Sequence, residues 1–332
     1  MKLWIVSYHW QSRVMKKKRL IFGIFVGIII ICFAIIFINK ANNSRKTNEV
    51  TLNSSEPDEN GLYFAKDYVF SKMEPFEESY IHSMSEKLNR AYDTLLNSNM
   101  NVYYSVIPDK GYFIENPSFT KENYESMLDI LTNEVKHMEY IPIMDKLSIT
   151  DYYKTDHHWR QEKLFPVVNQ LGKFMDFKID KSDFTENVVE NFKGVHSEYM
   201  DVVPEESLIY MTNKVTDEAT VEIYGVGEYQ GVYFLDELNT DVAYNVFLKG
   251  LAPIVTITNP YATDERELIL FGDSYASSIA PLLLQAYSKI TVIDMRFAPM
   301  SYLPEVMEFA TQDVLFLYNT AVINRSAMLK FQ

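Results

Sequence analysis

Cysteine is all but missing from these 332 residues. The single one, Cys32, sits inside an apolar run near the N-terminus. The rest of the chain therefore has no disulfide framework and no cysteine-based metal site. That fits an exported domain from a bacterium that does without disulfides. Basic residues are also scarce once the first segment is passed. Positions 1–46 hold nine Lys/Arg and no Asp or Glu, and the remainder holds 22 Lys/Arg against 45 Asp/Glu, a balance of −23. A surface of that sign argues against nucleic acid, which asks for a basic face. It selects no partner of its own, and a solvated acidic surface accounts for it. Neither an internal repeat nor a low-complexity tract is found.

Apolar and aromatic residues are abundant. Hydrophobic residues make up 47% of the chain, enough for a sizeable core in one large domain or two small ones. The 23 Tyr and 21 Phe raise the aromatic share to 14%. A Tyr-rich surface suits carbohydrate contact, but Tyr is equally an ordinary core residue.

Residues 20–38 carry no charge and are dense in Ile and Phe. At ~1.5 Å per helical residue they span roughly 28 Å, about one bilayer hydrocarbon core. The basic run Lys16-Lys17-Lys18-Arg19 precedes them directly. The positive-inside rule then places residues 1–19 in the cytoplasm and the rest outside, although Lys40, Arg45 and Lys46 soften the asymmetry. The run exceeds the ~7–15 residues of a signal-peptide core, and no small-x-small site follows at once, so an uncleaved single-pass anchor in the cell membrane is expected. Residues 1–14 are unlike an export signal, which makes Met15 an alternative start. Residues 39–61 are polar and without apolar period, and read as a tether.

From 62 to 332 the pattern is that of one α/β domain. Helix-period spacing is found over 75–97 and 120–137, and buried-strand runs at 101–107, 140–144, 268–271, 290–295 and 314–318. Helices are expected over 159–175, with Pro166 kinking it or marking its first turn, and over 277–287 and 303–310. Strands separated by helix-length segments argue for a parallel sheet with helices on both faces. Between about 178 and 259 short β-prone runs alternate with turn residues, which reads as an inserted antiparallel subdomain or flap. Ligands of parallel sheets sit beyond the carboxyl ends of the strands. Lys110, Asp156, Ser274, Arg296 and Asn319 fall close to those ends.

Two short motifs carry chemistry. Gly272-Asp273-Ser274-Tyr275 follows the apolar run Leu268-Ile269-Leu270-Phe271. A buried strand, a glycine to permit a sharp turn, and a polar residue opening a helix describe a nucleophile elbow. There the Ser274 N–H is placed to stabilise an oxyanion. The plain alternative is that Asp273 or Ser274 only caps a helix. Asp156-His157-His158-Trp159 supplies an imidazole and a carboxylate. Adjacent side chains diverge, so His157 and His158 do not easily face one site. Asp156 and His158, two apart on a turn, can both turn inward. The expected roles are His158 as base, Asp156 as its orienting acid, His157 as structural and Trp159 as a wedge beneath the pair. A metal reading of Asp156, His157 and His158 is poorer, because the spacing is not that of a helical zinc motif. His137 and His196 stand alone in the sequence and read as surface or core residues. No cofactor is implied.

Thr155-Asp156-His157-His158-Trp159 and Phe271-Gly272-Asp273-Ser274-Tyr275, supported by Val106-Ile107-Pro108-Asp109-Lys110 and Ile293-Asp294-Met295-Arg296, make the chain resemble the DHHW protein family. These are relatives of the alginate O-acetyltransferases within the SGNH-hydrolase-like superfamily. The resemblance covers about residues 60–320. In ordinary SGNH esterases the Ser block precedes an Asp-x-x-His block, whereas here the acid and base precede the serine, the permuted order of the alginate-type branch. The resemblance implies an SGNH-hydrolase-like (flavodoxin-like) sheet and a triad of Ser274, His158 and Asp156. It also implies a protein outside the cytoplasmic membrane that moves O-acetyl groups onto a polysaccharide acceptor. Such proteins often work beside a multi-spanning membrane-bound O-acyltransferase. Other readings are a carbohydrate acetylesterase of the same fold and a non-catalytic polysaccharide-binding adaptor. Where the family has Thr and a small Gly-Ala step after Trp, this chain has Arg160-Gln161-Glu162-Lys163-Leu164, so the segment behind the histidine packs differently. The usual esterase Gly and Asn oxyanion blocks are absent. Arg296 and Asn319 are the candidate helpers, with Lys110 and Tyr275 as candidate substrate contacts.

Overall fold

A computed structural model describes residues 50–332, apart from 55, 72–75, 116–120 and 251. The expected membrane segment, its cytoplasmic flank, Cys32 and most of the tether lie outside the described residues. Among those described, no helix is long and apolar enough to cross a membrane.

Eight strands form the central sheet: β1 (Asn101–Ile107), β2 (Glu139–Tyr140), β3 (Thr220–Ile223), β4 (Gly227–Gln230), β5 (Ile254–Thr258), β6 (Glu267–Gly272), β7 (Lys289–Ile293) and β8 (Asp313–Asn319). Their order is β4-β3-β5-β7-β6-β8-β1-β2. The run from β7 to β2 is parallel. The run from β4 to β7 is antiparallel. The sheet is thus mixed, where a parallel one was expected. β3, β4 and β5 come from the 178–259 stretch and extend the sheet beyond β7. A free flap would leave the facing edges of β5 and β7 without partners for their N–H and C=O groups. Within that stretch the pair Thr185–Val189 with Leu208–Thr212 stands apart as its own two-stranded sheet.

Strand side chains alternate between two cores, as a period of two requires. Ile269, Phe271, Val314 and Phe316 meet helices α1 (Glu78–Leu95) and α2 (Lys121–Glu134) on one face. Leu268, Leu270, Leu315 and Leu317 meet α3 (Phe165–Met175) and α4 (Ala276–Leu283) on the other. In α1 the buried Ile81, Met84, Leu88, Ala91 and Leu95 recur at helical spacing. Helix α3 begins at Phe165 and not at 159, with Pro166 in its first turn, where a missing N–H costs nothing. The strand expected over 140–144 is confined to β2, since Pro142 has no N–H to give a ladder. The helix expected over 303–310 is a single turn, Leu303–Val306.

Gly272 lies opposite Leu317, and Asn319 opposite Ile107. The carboxyl ends of β8 and β1 therefore finish level, and β6 ends two residues short of them on the same side. The loops that begin at Asp273, Thr320 and Pro108 leave the sheet at one edge. A hairpin that the sequence did not announce, Leu62–Ala65 with Tyr68–Ser71, reaches the same edge through its bond from Val69 N–H to the Lys154 carbonyl, 3.0 Å.

Candidate active site

Ser274 follows β6 and stands two residues before α4. Its Oγ is 2.7 Å from His158 Nε2. His158 Nδ1 is 2.7 Å from Asp156 Oδ1. Both Asp156 and His158 are buried, whereas Ser274 is half-buried. An ionised carboxylate only accepts, so Nδ1 carries the proton and Nε2 of the neutral ring is left to accept from the serine hydroxyl. Asp156 Oδ1 also takes the His158 backbone N–H at 3.0 Å, which locks the two-residue turn. Burial alone would raise the Asp156 carboxyl. The imidazoles of His158 and His157, with the bonds from His158, outweigh it and hold the group well below the usual carboxylate range.

The turn carrying this pair is clasped by the 178–259 stretch. The N–H groups of Gly194, Val195 and His196 donate to Thr155 Oγ1 (2.8 Å), Asp156 Oδ2 (3.2 Å) and the Thr155 carbonyl (3.0 Å). Glu206 accepts from the Lys154 and Thr155 N–H groups at 2.7 and 2.8 Å, and from the Thr155 hydroxyl. Gly194 lies so close that a Cβ there would come within 2.4 Å of Asp156 Cβ. Tyr244, from the same stretch, stacks on the His158 ring with centroids 3.8 Å apart. Gly194, Val195, Glu206 and Tyr244 were not singled out from the sequence, and His196 reads there as solitary. Beneath the pair, fully buried Trp159 donates to Ser278 Oγ at 2.8 Å and meets the Tyr275 ring edge-on.

Several expectations need correction. His157 and His158 do not diverge: their ring centroids are 3.9 Å apart. The turn folds back on itself so that Asp156 Oδ1 lies 3.8 Å from His157 Nδ1 as well. Burial in the cleft wall and the neighbouring His158 push the His157 imidazole down to about 3, although part of its side chain reaches solvent. His196 is not solitary either. Its ring is 5.9 Å from that of His157, and its Nε2 is 3.3 Å from Ser71 Oγ. Gly272 has no left-handed backbone to accommodate. Its missing side chain allows close approach, since a Cβ would sit 2.7 Å from Ala276 Cβ and 3.0 Å from the Leu317 carbonyl.

The candidate helpers are already engaged. Arg296 is gripped by Asp294 through Nε at 2.9 Å and a terminal nitrogen at 2.6 Å. Asn319 caps the turn Thr320–Ile323 by accepting from Ala321 N–H at 2.9 Å, and its amide donates to the Ile107 carbonyl at 3.3 Å. The Tyr275 hydroxyl donates to the His157 carbonyl at 2.6 Å. Lys110 is buried, donates to the Val69 and Lys154 carbonyls at 2.9 and 3.3 Å, and is pushed down to about 7 by burial.

A cleft of about 330 Å³ opens beside the serine, walled by Phe70, Lys110, His157, His196, Tyr275 and Asn319 among others. Ser274 and His158 do not line it themselves, but Tyr275 and His157, their chain neighbours, do. Asp156, His157 and His158 present ligand-type atoms within 4.8 Å of one another. Both ring nitrogens of His158 already have partners, so a metal on that ring would displace Ser274 or Asp156.

The class is thus a mixed α/β domain with a mostly parallel central sheet and a hydroxyl–imidazole–carboxylate chain at its carboxyl edge. No family model matches the chain, and no curated protein matches its sequence. Solved structures do share its fold. A DHHW family protein from Eubacterium siraeum aligns at 18% identity over 80% of this chain and 95% of that one, with a TM-score of 0.65. PatB1 from Bacillus cereus aligns at 20% identity over 79% of this chain and 96% of that one, TM-score 0.64. PatB1 with a sulfonyl adduct aligns at 19% over 79% and 97%, TM-score 0.63. At such identities the likeness is one of fold. It agrees with the family that the two motifs resemble.

Proposed function

We propose that this chain is an extracytoplasmic, membrane-anchored O-acetyltransferase that moves acetyl groups onto a cell-surface or secreted polysaccharide. The observation that carries the reading is the chain of two 2.7 Å contacts from Ser274 Oγ through His158 to Asp156. Ser274 Oγ attacks the donor's acyl carbon while His158 Nε2 takes the hydroxyl proton. The bond to the donor's leaving oxygen breaks, and that oxygen takes the proton from His158. A sugar hydroxyl then attacks acetyl-Ser274, gives its proton to His158 and leaves as the ester, and Ser274 recovers the proton. Asp156 stays ionised throughout and stabilises the imidazolium. The Ser274 N–H is the candidate oxyanion donor. The adjacent cleft, about 330 Å³, has room for one acceptor unit. A multi-spanning membrane acyltransferase is the expected source of acetyl groups.

The test is incubation with p-nitrophenyl acetate followed by peptide mass analysis. Acetyl should be found on Ser274 and be absent from Ser274→Ala. Product analysis with oligosaccharide acceptors then separates transfer to sugar from release as acetate, the esterase outcome. A folded wild-type protein that never acquires acetyl at Ser274 would refute the reading.

A further inference from the structure

Tyr244 lies in the short turn Ala243–Val246, far in sequence from both motifs. Its ring and the His158 imidazole are parallel to within 5°, with centroids 3.8 Å apart. Its hydroxyl donates to Ser278 Oγ at 2.7 Å. Ser278 belongs to α4, the helix that opens two residues after Ser274. Trp159 Nε1 donates to the same oxygen. One side chain therefore touches the imidazole with its face and the serine-bearing helix with its tip. Tyr244 is itself held in a small core with Tyr153, Phe192, Val246 and Phe247. Burial keeps its hydroxyl protonated, and so a donor, far above the ordinary phenol range.

We propose that Tyr244 is a positioning residue for the base. Its ring holds the His158 imidazole in the plane that serves both Asp156 and Ser274 and stabilises the imidazolium. Its hydroxyl fixes the spacing between the base and the nucleophile's helix. The proposal rests on the acyl-transfer reading of the site. A flat stack opposes rotation of the imidazole, and the electron-rich face of a phenol attracts a cation. The imidazolium exists only once Ser274 has given up its proton. The contribution therefore falls on the transition state and leaves substrate binding alone.

The experiment uses the full chain and p-nitrophenyl acetate. Tyr244→Leu should lower kcat roughly tenfold or more with KM unchanged. It should also move the acid limb of the pH profile to lower pH, because the charged ring is less favoured. Tyr244→Phe keeps the ring and should keep the limb, losing only about two- to threefold in kcat for one hydrogen bond. Pentafluorophenylalanine at 244 keeps the shape but reverses the ring's electrostatics. It should move the limb as leucine does even if Tyr244→Leu fails to fold. The stack is read without activity from the ring-current shift of the His158 carbon-bound protons, kept in Tyr244→Phe and lost in Tyr244→Leu. A folded Tyr244→Leu with wild-type kcat and limb overturns the proposal. So does a fluorinated variant whose limb matches that of Tyr244→Phe. Equal turnover by wild type and Ser274→Ala would instead sink the acyl-transfer reading, a separate result from any change in the stack.

Discussion

A methyl group added at Gly194 should cripple the site from outside it. In Gly194→Ala the new Cβ would lie 2.4 Å from Asp156 Cβ and 2.5 Å from the carbonyl carbon and oxygen of Thr155. Two of those three atoms are backbone and cannot swing aside. Ordinary contact begins near 3.4 Å, so the two segments must part by about 1 Å. The loop cannot retreat freely, because three consecutive N–H groups, from Gly194 to His196, bind it to residues 155–156. Lengthening all three costs about 3 kcal/mol at roughly 1 kcal/mol each. Asp156 also loses its Oδ2 partner and shifts against His158, and a displacement near 1 Å at a catalytic group costs on the order of 100-fold in rate. Urea unfolding and p-nitrophenyl acetate turnover measure the two effects. A variant within ~0.5 kcal/mol of wild-type stability and with near-normal kcat would show that the loop is soft and that the clasp does not position the acid.

Other changes test neighbouring contacts. Lys110, pushed down to about 7 by burial, would titrate near 10.4 when unfolded, so between these values the unfolded chain binds more protons. Stability should therefore rise with pH from about 7 to 9, and fall toward pH 7. Urea midpoints should lose that slope in Lys110→Met, and an unchanged slope would clear Lys110 as its source. Gly272→Ala puts a Cβ 2.7 Å from Ala276 Cβ and should lift α4 off β6, costing about 1–3 kcal/mol in a denaturant titration and lowering kcat. Glu206→Gln leaves one oxygen for the N–H groups of Lys154 and Thr155 that now bond to separate carboxylate oxygens at 2.7 and 2.8 Å. It should cost about 1–3 kcal/mol of stability and slow turnover more than it alters KM, read from denaturation and steady-state kinetics.

That Asp156, His158 and Ser274 meet was legible, because each lies in a short motif next to a recognisable strand or turn. The i, i+2 spacing of acid and base is itself a geometric statement, and Asp156 Oδ1 takes both the backbone and the ring N–H of His158. The same spacing in Asp294-Met295-Arg296 is a signal that Arg296 is spoken for, as its bonds to Asp294 show. Asn before Thr-Ala-Val-Ile is likewise a capping signal, and Asn319 caps. Gly194, Val195, Glu206 and Tyr244 gave no such sign. They act through long-range contacts made by irregular segments, which leave no period in the sequence. That the expected antiparallel strands join the main sheet was hidden for a related reason. Strands of four or five residues have too few positions to say whether, once paired with one another, they also join a larger sheet.

The departure after Trp159 acquires a physical account from its contacts. Fully buried Gln161 donates through Nε2 to the Ser278 carbonyl of α4 at 2.7 Å. Its Oε1 accepts the Met211 N–H at 2.8 Å and the Tyr233 hydroxyl at 3.2 Å. A buried amide with both ends satisfied is a rigid tie, whereas one left half-satisfied would be expensive. Gln161 thus connects the segment behind the base, the helix behind the nucleophile and the 178–259 stretch. Tyr244 makes a parallel connection one layer nearer the chemistry, from His158 to the hydroxyl of the same Ser278. Acid and base are separated from the serine by more than a hundred residues, so their alignment cannot come from local backbone. It comes from Ser278, whose carbonyl and hydroxyl receive Gln161, Trp159 and Tyr244. On this account the β-rich stretch holds the two motifs in register, and shortening it at residues 208–247 should misalign the triad even where the parallel core survives.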